Sequence, residues 1–235
     1  MLLEVDGLHA HYGKSHILHG VSFAVPRDGI VSLLGRNGSG RSTTLKAMMG
    51  IVPPTSGRVR LGDIELTGRR PYAIARHGLG YVPEERLVFA NLTVRENLAM
   101  GVQRSHSGER AWTVEDMYTY FPRLRERRDV KAGSLSGGEQ QMLTICRSLL
   151  GNPQVLLIDE PTEGLAPKIV EVVMDVILDI RRRGVAVVLV EQKLTIALRI
   201  AETVFVMGHG EIVFSGSPEE LRSREDVRRE WLQVA

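Results

Sequence analysis

Apolar and polar positions follow two different periods along the chain. Near the N-terminus, the segments LLEVDGL, HILHGVSFAV, GRVRLG and DIEL alternate apolar and polar residues or form short β-branched runs, separated by Gly, Asp and Pro. A period of two is typical of strands with one buried face, and the separating residues are typical of turns. This part of the sequence therefore predicts an antiparallel β layer.

A second group of apolar runs alternates with helical patterns. GIVSLLG (29–35) predicts a buried strand and STTLKAMMG (42–50) a helix that Gly50 ends. After Pro153, QVLLI predicts a strand, KIVEVVMDVILDIRRRG a helix and VAVVLV another strand. This alternation predicts parallel strands joined by crossover helices. The apolar face expected on the long helix consists of Ile169, Val172, Val173, Val176, Ile177 and Ile180.

Helical periodicity dominates the middle of the chain. The stretches TVRENLAMGV, VEDMYTYFPRL and EQQMLTICRSLL all lie between residues 87 and 150, where β-rich runs are not found. The C-terminal part adds TVFVMGHGEIVFSG, which predicts a hairpin around residues 208–210. We therefore expect an α/β fold in which residues 1–86 and 151–235 form a core with an antiparallel β layer, and residues 87–150 form a helical subdomain.

Composition narrows the classes of function. The 235 residues are 43% hydrophobic and carry 30 basic against 28 acidic side chains, so the net charge of +2 gives no reason to expect a nucleic-acid partner. A single cysteine, Cys146, excludes an intrachain disulfide, and the N-terminus MLLEVDGL has no basic region followed by a long apolar stretch. The longest apolar runs are far shorter than the roughly 20 residues that span a bilayer. We expect a cytoplasmic protein whose membrane role depends on a partner.

The first candidate chemistry is the glycine-rich segment GRNGSGRST at 35–43. It matches the phosphate-binding pattern G-x-x-x-x-G-K-[ST], except that Arg41 replaces the lysine. Glycines allow backbone N–H groups to close around phosphate oxygens at the positive end of the following helix. An ordinary glycine-rich turn is the alternative. The expected ATP-binding residues are Gly35, Arg36, Asn37, Gly38, Ser39, Gly40, Arg41, Ser42 and Thr43, with the Ser42 hydroxyl also offered to Mg²⁺.

The second candidate is VLLIDE at 155–160, an apolar strand that ends in two carboxylates. Asp159 would hold hydrated Mg²⁺, and Glu160 would polarise an attacking water molecule as the catalytic base. Two acids at the end of a strand are usually a solvated edge. Beside a phosphate loop, however, the pair favours a metal ligand and a base.

The third motif is LSGGEQQ at 135–141. Together with the phosphate loop and VLLIDEPT, it makes the chain resemble the nucleotide-binding subunits of ABC transporters over essentially its whole length. The resemblance implies a P-loop NTPase core and a RecA-like sheet. It also implies that a signature loop caps the γ-phosphate held by a partner subunit, which is again an anion at a helix N-terminus. A plain helix cap is the alternative. The implied signature residues are Leu135, Ser136, Gly137, Gly138 and Glu139.

Other positions acquire roles only through this resemblance. Tyr12 stands where the family stacks an aromatic ring on adenine, and Glu84 stands where the family has a glutamine that touches Mg²⁺. Gln192 replaces a histidine that senses the γ-phosphate, and Ala166 replaces an aspartate found in many members. The combination YVPE, EPTEGLAP and VEQ resembles the LivF-type ATP-binding subunits of branched-chain amino acid importers, with urea and amide importers close by.

The resemblance implies a peripheral protein on the cytoplasmic face of the cell membrane. It would bind ATP and Mg²⁺, close head-to-tail on a second ATPase subunit in a homo- or heterodimer, and act on transmembrane permease subunits, which in turn meet a substrate-binding protein. A chromosome or DNA-repair ATPase is disfavoured, because too few residues lie between Gly40 and Leu135 for a long coiled coil.

Arg41 leaves three interpretations open. Arginine is a longer planar fork than lysine, so we expect ATP binding to be kept and hydrolysis in this chain's own site to be reduced. Alternatively, arginine replaces lysine without loss, or the arginine is an engineered change or a quirk of this sequence. A separate hypothesis for the function is an ATP-dependent scaffold, in which Arg41 lets ATP hold the dimer together with little turnover.

Two weaker groups remain. The histidines His9, His11, His16 and His19 are scattered along the first strands, which favours turn and surface roles over metal binding. Val88, Phe89 and Leu92 are expected to be exposed and to meet the permease, although core packing is an equal alternative.

Overall fold

A computed structural model describes residues 1–103 and 111–232 and contains two sheets. The first sheet is antiparallel and comprises β1 (Leu3–Tyr12), β2 (Ser15–Val25), β4 (Pro54–Leu61) and β5 (Ile64–Glu65), in the order β2-β1-β4-β5. Alternating burial along β1 places Leu3, Val5 and Leu8 in the core. The predicted antiparallel β layer is thus present.

The second sheet contains the six strands β3 (Ile30–Gly35), β6 (Leu79–Val82), β7 (Val155–Asp159), β8 (Ala186–Val190), β9 (Thr203–Gly208) and β10 (Glu211–Gly216). Their order is β10-β9-β3-β8-β7-β6, and every neighbouring pair is parallel except β9 and β10. Val190 pairs with both Leu33 and Asp159, so the carboxyl ends of β3, β7 and β8 meet at one edge. Ligand sites in parallel sheets form at this edge.

The helices are α1 (Arg41–Met48), α2 (Pro71–Arg76), α3 (Val94–Gly101), α4 (Val114–Tyr120), α5 (Pro122–Glu126), α6 (Gly137–Leu149), α7 (Pro167–Arg182), α8 (Leu194–Ile200), α9 (Pro218–Ser223) and α10 (Glu225–Trp231). A 3₁₀ turn covers Ala132–Ser134. Residues 87–103 and 111–150 contain α3 to α6 and no strand of either sheet. Whether residues 87–150 form a separate unit stays a prediction, and 104–110 and 233–235 lie outside the described residues.

The core lies on both faces of the six-stranded sheet. On one face, Leu33 and Val188 belong to a buried cluster with Leu18 of the antiparallel layer and Leu45 of α1. On the other face, the cluster of Leu34 also includes residues of α6 and α7. The helical segment therefore shares a core with the sheet, and this packing holds α6 in place.

The apolar face of α7 is rotated slightly from its predicted position. Val173, Val176, Ile177 and Ile180 are buried as expected, but Val170 and Met174 complete the buried stripe. Ile169 and Val172 are half-buried and pack against the same core from the edge of this stripe. The sequence pattern also missed α2, β6 and α8. Among the described residues, no helix is long and apolar enough to cross a membrane.

Candidate active site

The phosphate loop joins the end of β3 to the start of α1. Gly35, Gly38 and Gly40 have φ values of 154°, 80° and 105°, a region that side chains disfavour. A Cβ atom on Gly40 would lie only 2.9 Å from Leu18 Cδ2, so glycine is also required for space. The Ser39 hydroxyl is buried and has no hydrogen-bond partner among the described residues. A tight glycine turn with an unpaired hydroxyl at a helix N-terminus fits an anionic ligand.

A polar cavity of about 280 Å³ opens beside this loop. Its lining consists of Asn37, Gly38, Ser39, Gly40, Arg41, Ser42, Thr43, Glu84, Glu160, Glu163 and Gln192. Most of the residues predicted to bind phosphate or act on water are therefore together. Gly35, Arg36 and Tyr12 do not line it, and neither does the signature segment 135–139.

Ser42 and Asp159 form the predicted metal-binding pair. Ser42 Oγ donates a hydrogen bond to Asp159 Oδ1 at 2.9 Å, and the Tyr81 hydroxyl donates to Asp159 Oδ2 at 3.3 Å. Burial raises the pKa of Asp159, although the hydrogen bond from Ser42 and the charge of Lys46 oppose this rise. A hydroxyl and a carboxylate are oxygen donors of the kind that Mg²⁺ prefers, so the residues present fit this ion.

Arg41 does not extend freely into the cavity. Its Nη2 donates to Glu160 Oε1 at 2.9 Å and to Asn37 Oδ1 at 3.2 Å, while Nη1 donates to the carbonyl of Glu191 at 3.2 Å. The exposed fractions of Arg41 and Glu160 are 5% and 6%. A planar guanidinium reaches all three acceptors from one position, which a lysine ammonium on a single stem is less suited to do.

Glu160 is held from several sides. Its Oε1 accepts from Arg41, and its Oε2 accepts from Gln192 Nε2 at 2.7 Å. The backbone at Glu160 has φ 43°, and its N–H donates to the carbonyl of Val190 at 2.9 Å. A left-handed conformation at a non-glycine residue is typical of functional sites. Burial raises the pKa of Glu160, and the charge of Arg41 and the hydrogen bond from Gln192 oppose this rise.

Three carboxylates meet at the mouth of the cavity. Oxygen atoms of Glu84, Glu160 and Glu163 lie within 4.8 Å of one another. Desolvation, a hydrogen bond with Glu163 and the charge of Glu160 raise the pKa of Glu84 to about 7. Glu84 lines the same cavity as Ser42, beside which it was predicted, and it also forms a group with Glu160 and Glu163. Glu163 was not among the residues predicted from the sequence. Its position four residues after Asp159, close to the end of the same strand, could have indicated it.

The predicted adenine platform and signature lie apart from this cavity. Tyr12 ends β1 with 48% of its surface exposed, which leaves its ring open to a flat ligand. Ser136 caps α6: its Oγ accepts from the N–H of Glu139 at 3.3 Å, and Glu139 Oε2 accepts from the N–H of Ser136 at 2.8 Å. This reciprocal capping fixes the start of the helix. The N–H groups of Gly137 and Gly138 therefore begin a helix away from the chain's own phosphate loop.

Arg86 links this signature to the loop after Glu160. Its Nη2 donates to the carbonyl of Glu163 at 2.6 Å, and its Nη1 lies where a Cβ atom on Gly137 would be. A larger residue at position 137 would therefore displace the guanidinium from this place. Arg86 was not among the predicted site residues, because its partners come from two distant segments.

Two weaker expectations are corrected by the structure. His9, His11, His16 and His19 are not scattered, because the pairing of β1 with β2 brings their rings together. Only Phe89 of the proposed permease-facing residues is exposed, and the Arg147 guanidinium covers its ring at 4.8 Å. Val88 and Leu92 are half-buried.

Comparison with known proteins gives a consistent result. The sequence profile of the family described as ABC transporter matches residues 18–163. The chain is 41% identical to the high-affinity branched-chain amino acid transport ATP-binding protein BraG of Pseudomonas aeruginosa, covering 98% of this chain and 99% of BraG. It is 37% identical to the probable branched-chain amino acid transport ATP-binding protein LivF of Archaeoglobus fulgidus, covering 97% of each.

Similarity extends to an exporter subunit and to solved structures. The lipopolysaccharide export system ATP-binding protein LptB of Escherichia coli is 32% identical over 98% of this chain and 96% of its own. The ADP conformation of MJ1267, an ATP-binding cassette of an ABC transporter, has a TM-score of 0.82 with 25% identity, covering 97% of each chain. The fold and the three motifs thus point to the same family.

Proposed function

The chain belongs to the ABC transporter family as an ATP-hydrolysing, ATP-binding subunit, and we propose that it energises the uptake of branched-chain amino acids. The observation that supports hydrolysis most directly is the cavity in which the glycine loop meets Glu160, with Asp159 hydrogen-bonded to Ser42 of the same loop. The amino acid class rests on the similarity to BraG and LivF, which are described as ATP-binding proteins of branched-chain amino acid transport.

Each residue of the proposed ATP site would have a distinct role. The N–H groups of the phosphate loop would hold the ATP phosphates, and Tyr12 would stack on adenine. Ser42 and Asp159 would hold Mg²⁺, with Glu84 nearby, and the bound ion would neutralise phosphate charge and orient the terminal phosphate. Gln192 would contact the γ-phosphate, and its hydrogen bond to Glu160 Oε2 would orient that base.

Glu160 would accept a proton from the attacking water. As the oxygen of that water bonds to the γ-phosphorus, the bond to the ADP oxygen breaks, and the proton moves to the Glu160 carboxylate. The base must be ionised for this step. The Arg41 charge favours the ionised form, but the same ion pair engages one of the two carboxylate oxygens.

The signature of a second subunit would complete the site. Segment 135–139 does not line the cavity beside its own phosphate loop, although Ser136 and the glycines form an ordered helix N-terminus. Such a terminus can cap a γ-phosphate in another subunit. We therefore propose a head-to-tail ATPase dimer that acts on permease subunits at the cytoplasmic face of the membrane, with a substrate-binding protein as the indirect partner.

A second candidate is a nucleotide-binding scaffold subunit with little hydrolysis in its own site. The ion pair between Arg41 and Glu160 favours it, because a restrained base is less free to meet water. In a heterodimer, the intact signature of such a subunit would still complete the partner's site.

Transport measurements distinguish these functions. The chain is purified with its permease and second ATPase subunit, placed in vesicles with the substrate-binding protein, and supplied with ATP and labelled leucine, isoleucine or valine. ATP-dependent uptake of these amino acids is expected. Uptake should be abolished when Glu160 and the corresponding base of the second ATPase subunit are both changed to glutamine. If the vesicles take up only urea or a short amide, the transported substrate belongs to that class and not to the branched-chain amino acids. Transport unaffected by Glu160→Gln in this chain alone would favour the scaffold.

A further inference from the structure

The C-terminal helix α10 places a tryptophan ring against the turn that joins β9 to β10. Gly208 approaches the Trp231 indole so closely that a Cβ atom on this glycine would lie 2.3 Å from both Cε3 and Cζ3 of the ring. The neighbouring His209 ring meets the indole edge-on, with centroids 5.4 Å apart. Any side chain at position 208 would therefore displace the ring, so glycine at the end of β9 permits this close packing of α10.

The same turn is hydrogen-bonded to the phosphate loop. The N–H of Gly210 donates to the carbonyl of Ser39 at 3.0 Å, and the carbonyl of Gly210 accepts from the N–H of His19 on β2 at 2.9 Å. Gly210 and Ser39 are both buried. Because a buried backbone group without a partner is costly, the Ser39 carbonyl and the turn are expected to move together.

A second cavity lies beside the phosphate loop, with a volume of about 310 Å³. Its lining includes Trp231 and three residues of the loop, Asn37, Gly38 and Ser39. These three residues also line the cavity of about 280 Å³ that contains Glu160. The phosphate loop is thus a wall between the two cavities. Since open space lies on its second side, the position of the loop there depends on the turn at 208–210.

We propose that Trp231 is a positioning residue for the phosphate loop. Its ring holds the turn at 208–210, and the turn holds the Ser39 carbonyl, so that the N–H groups of the loop already face the phosphates of ATP. Donors that are ordered before binding hold a charged ligand more tightly than donors that must first be ordered. Trp231 does not line the cavity that contains Glu160, so it acts through the turn. The inference rests on ATP binding by the phosphate loop and is independent of the transported substrate.

The coupling between Trp231 and the phosphate loop must be reciprocal. If the contact between Trp231 and Gly208 favours nucleotide binding, bound nucleotide stabilises that contact by the same factor. The chain contains two tryptophans, Trp112 and Trp231. Trp231 is half-buried, whereas Trp112 is buried beneath the Arg183 guanidinium. A neutral quencher such as acrylamide therefore reports on the exposure of Trp231 once Trp112 is replaced.

Fluorescence quenching tests this linkage in the full chain carrying Trp112→Phe. Acrylamide quenching is measured with and without Mg²⁺ and adenylyl imidodiphosphate, an ATP analogue that is not hydrolysed. The analogue should lower the quenching constant of Trp231 roughly twofold, because it stabilises the packed ring. Calorimetry on the same sample measures binding of the analogue, so failure of the ATP site is distinguished from failure of this inference. An unchanged quenching constant at saturating analogue would overturn the proposal.

A double-mutant cycle tests the route through the turn. Trp231→Ala removes the ring and Gly208→Ala displaces it, so each should raise the Kd for the analogue roughly fivefold. Together they should cost no more than either alone, because a methyl group at position 208 then has room. Additive effects, or an unchanged Kd in Trp231→Ala, would overturn the proposal.

Two further variants separate positioning from general loss of packing. Trp231→Phe keeps an aromatic ring beside Gly208 and should restore most of the affinity that Trp231→Ala loses. Val227→Ala is the matched control, because Val227 is buried one turn earlier on α10 and should leave the Kd unchanged. A Kd raised equally by Val227→Ala and Trp231→Ala would contradict a specific role for the indole. The quenching experiment decides the question if Gly208→Ala fails to fold.

Discussion

The guanidinium of Arg41 lies 2.9 Å from the carboxylate of Glu160, and both side chains are buried. Removal of one member of a buried ion pair typically costs about 3–5 kcal/mol, because the other charge is left unpaired. The residue that replaces the phosphate-loop lysine is thus tied to the predicted catalytic base. The central claim is that this contact slows hydrolysis in the chain's own site.

Glu160→Gln should abolish turnover while ATP binding is kept. The amide cannot accept a proton from water, and general-base catalysis contributes about 10²- to 10⁴-fold. A steady-state phosphate-release assay and nucleotide titration measure the two effects. Glu85→Gln is the control, since Glu85 is half-exposed and pairs with Lys46. Residual turnover close to that of the unaltered chain would show that Glu160 is not the base.

Tyr12→Ala should weaken ATP binding by roughly tenfold, or about 1.4 kcal/mol. Stacking of a base on an aromatic ring is worth about 1–3 kcal/mol, and the Tyr12 ring is open to a ligand. Tyr12→Phe keeps the ring and should keep the Kd for ATP. Equal Kd values for all three proteins would place adenine elsewhere.

Glu84 should make stability pH-dependent in the nucleotide-free chain without Mg²⁺. Its pKa is about 7 in the folded protein, above the value of 4.5 for a free glutamate side chain. Between these values the folded state holds a proton that the unfolded state has released, so this contribution to the free energy of unfolding falls as pH rises.

Urea denaturation at pH 5 and pH 8 checks that sign. The decrease in unfolding free energy from pH 5 to pH 8 should be smaller in Glu84→Gln than in the unaltered chain. The neighbouring exposed variant Glu85→Gln should behave like the unaltered chain. An equal or larger decrease in Glu84→Gln would contradict the raised pKa of Glu84.

The signature prediction can be tested by complementation. Ser136→Ala removes a helix cap, at a cost of about 1 kcal/mol in stability, and alters the signature. In a homodimer carrying Ser136→Ala in one chain and Glu160→Gln in the other, a trans arrangement restores one complete site. Turnover above that of either single variant is therefore expected. A mixture no more active than its components would favour a signature that acts within its own chain.

Local patterns predicted the parts of the site that are continuous in sequence. The glycine loop, the strand ending at Asp159 and the capped start of α6 each follow from neighbouring residues. Glu163, Arg86 and Tyr81 were missed, because their contacts join distant segments. The short strand β6 has only four residues, too few for a clear period. The clustering of the histidine rings depends on the register of β1 and β2. Irregular pairing shifts this register between Leu8 and His11, so the sequence pattern alone does not predict it.

Steady-state ATP hydrolysis by the purified transporter complex, with and without Arg41→Lys, tests the central claim most directly. Lysine cannot maintain the forked contacts with Glu160, Asn37 and the Glu191 carbonyl, so the base is released. With Glu160→Gln as the background, Arg41→Lys should raise turnover at least threefold. Equal or lower turnover in Arg41→Lys would contradict the claim and show that arginine performs the lysine's role without loss.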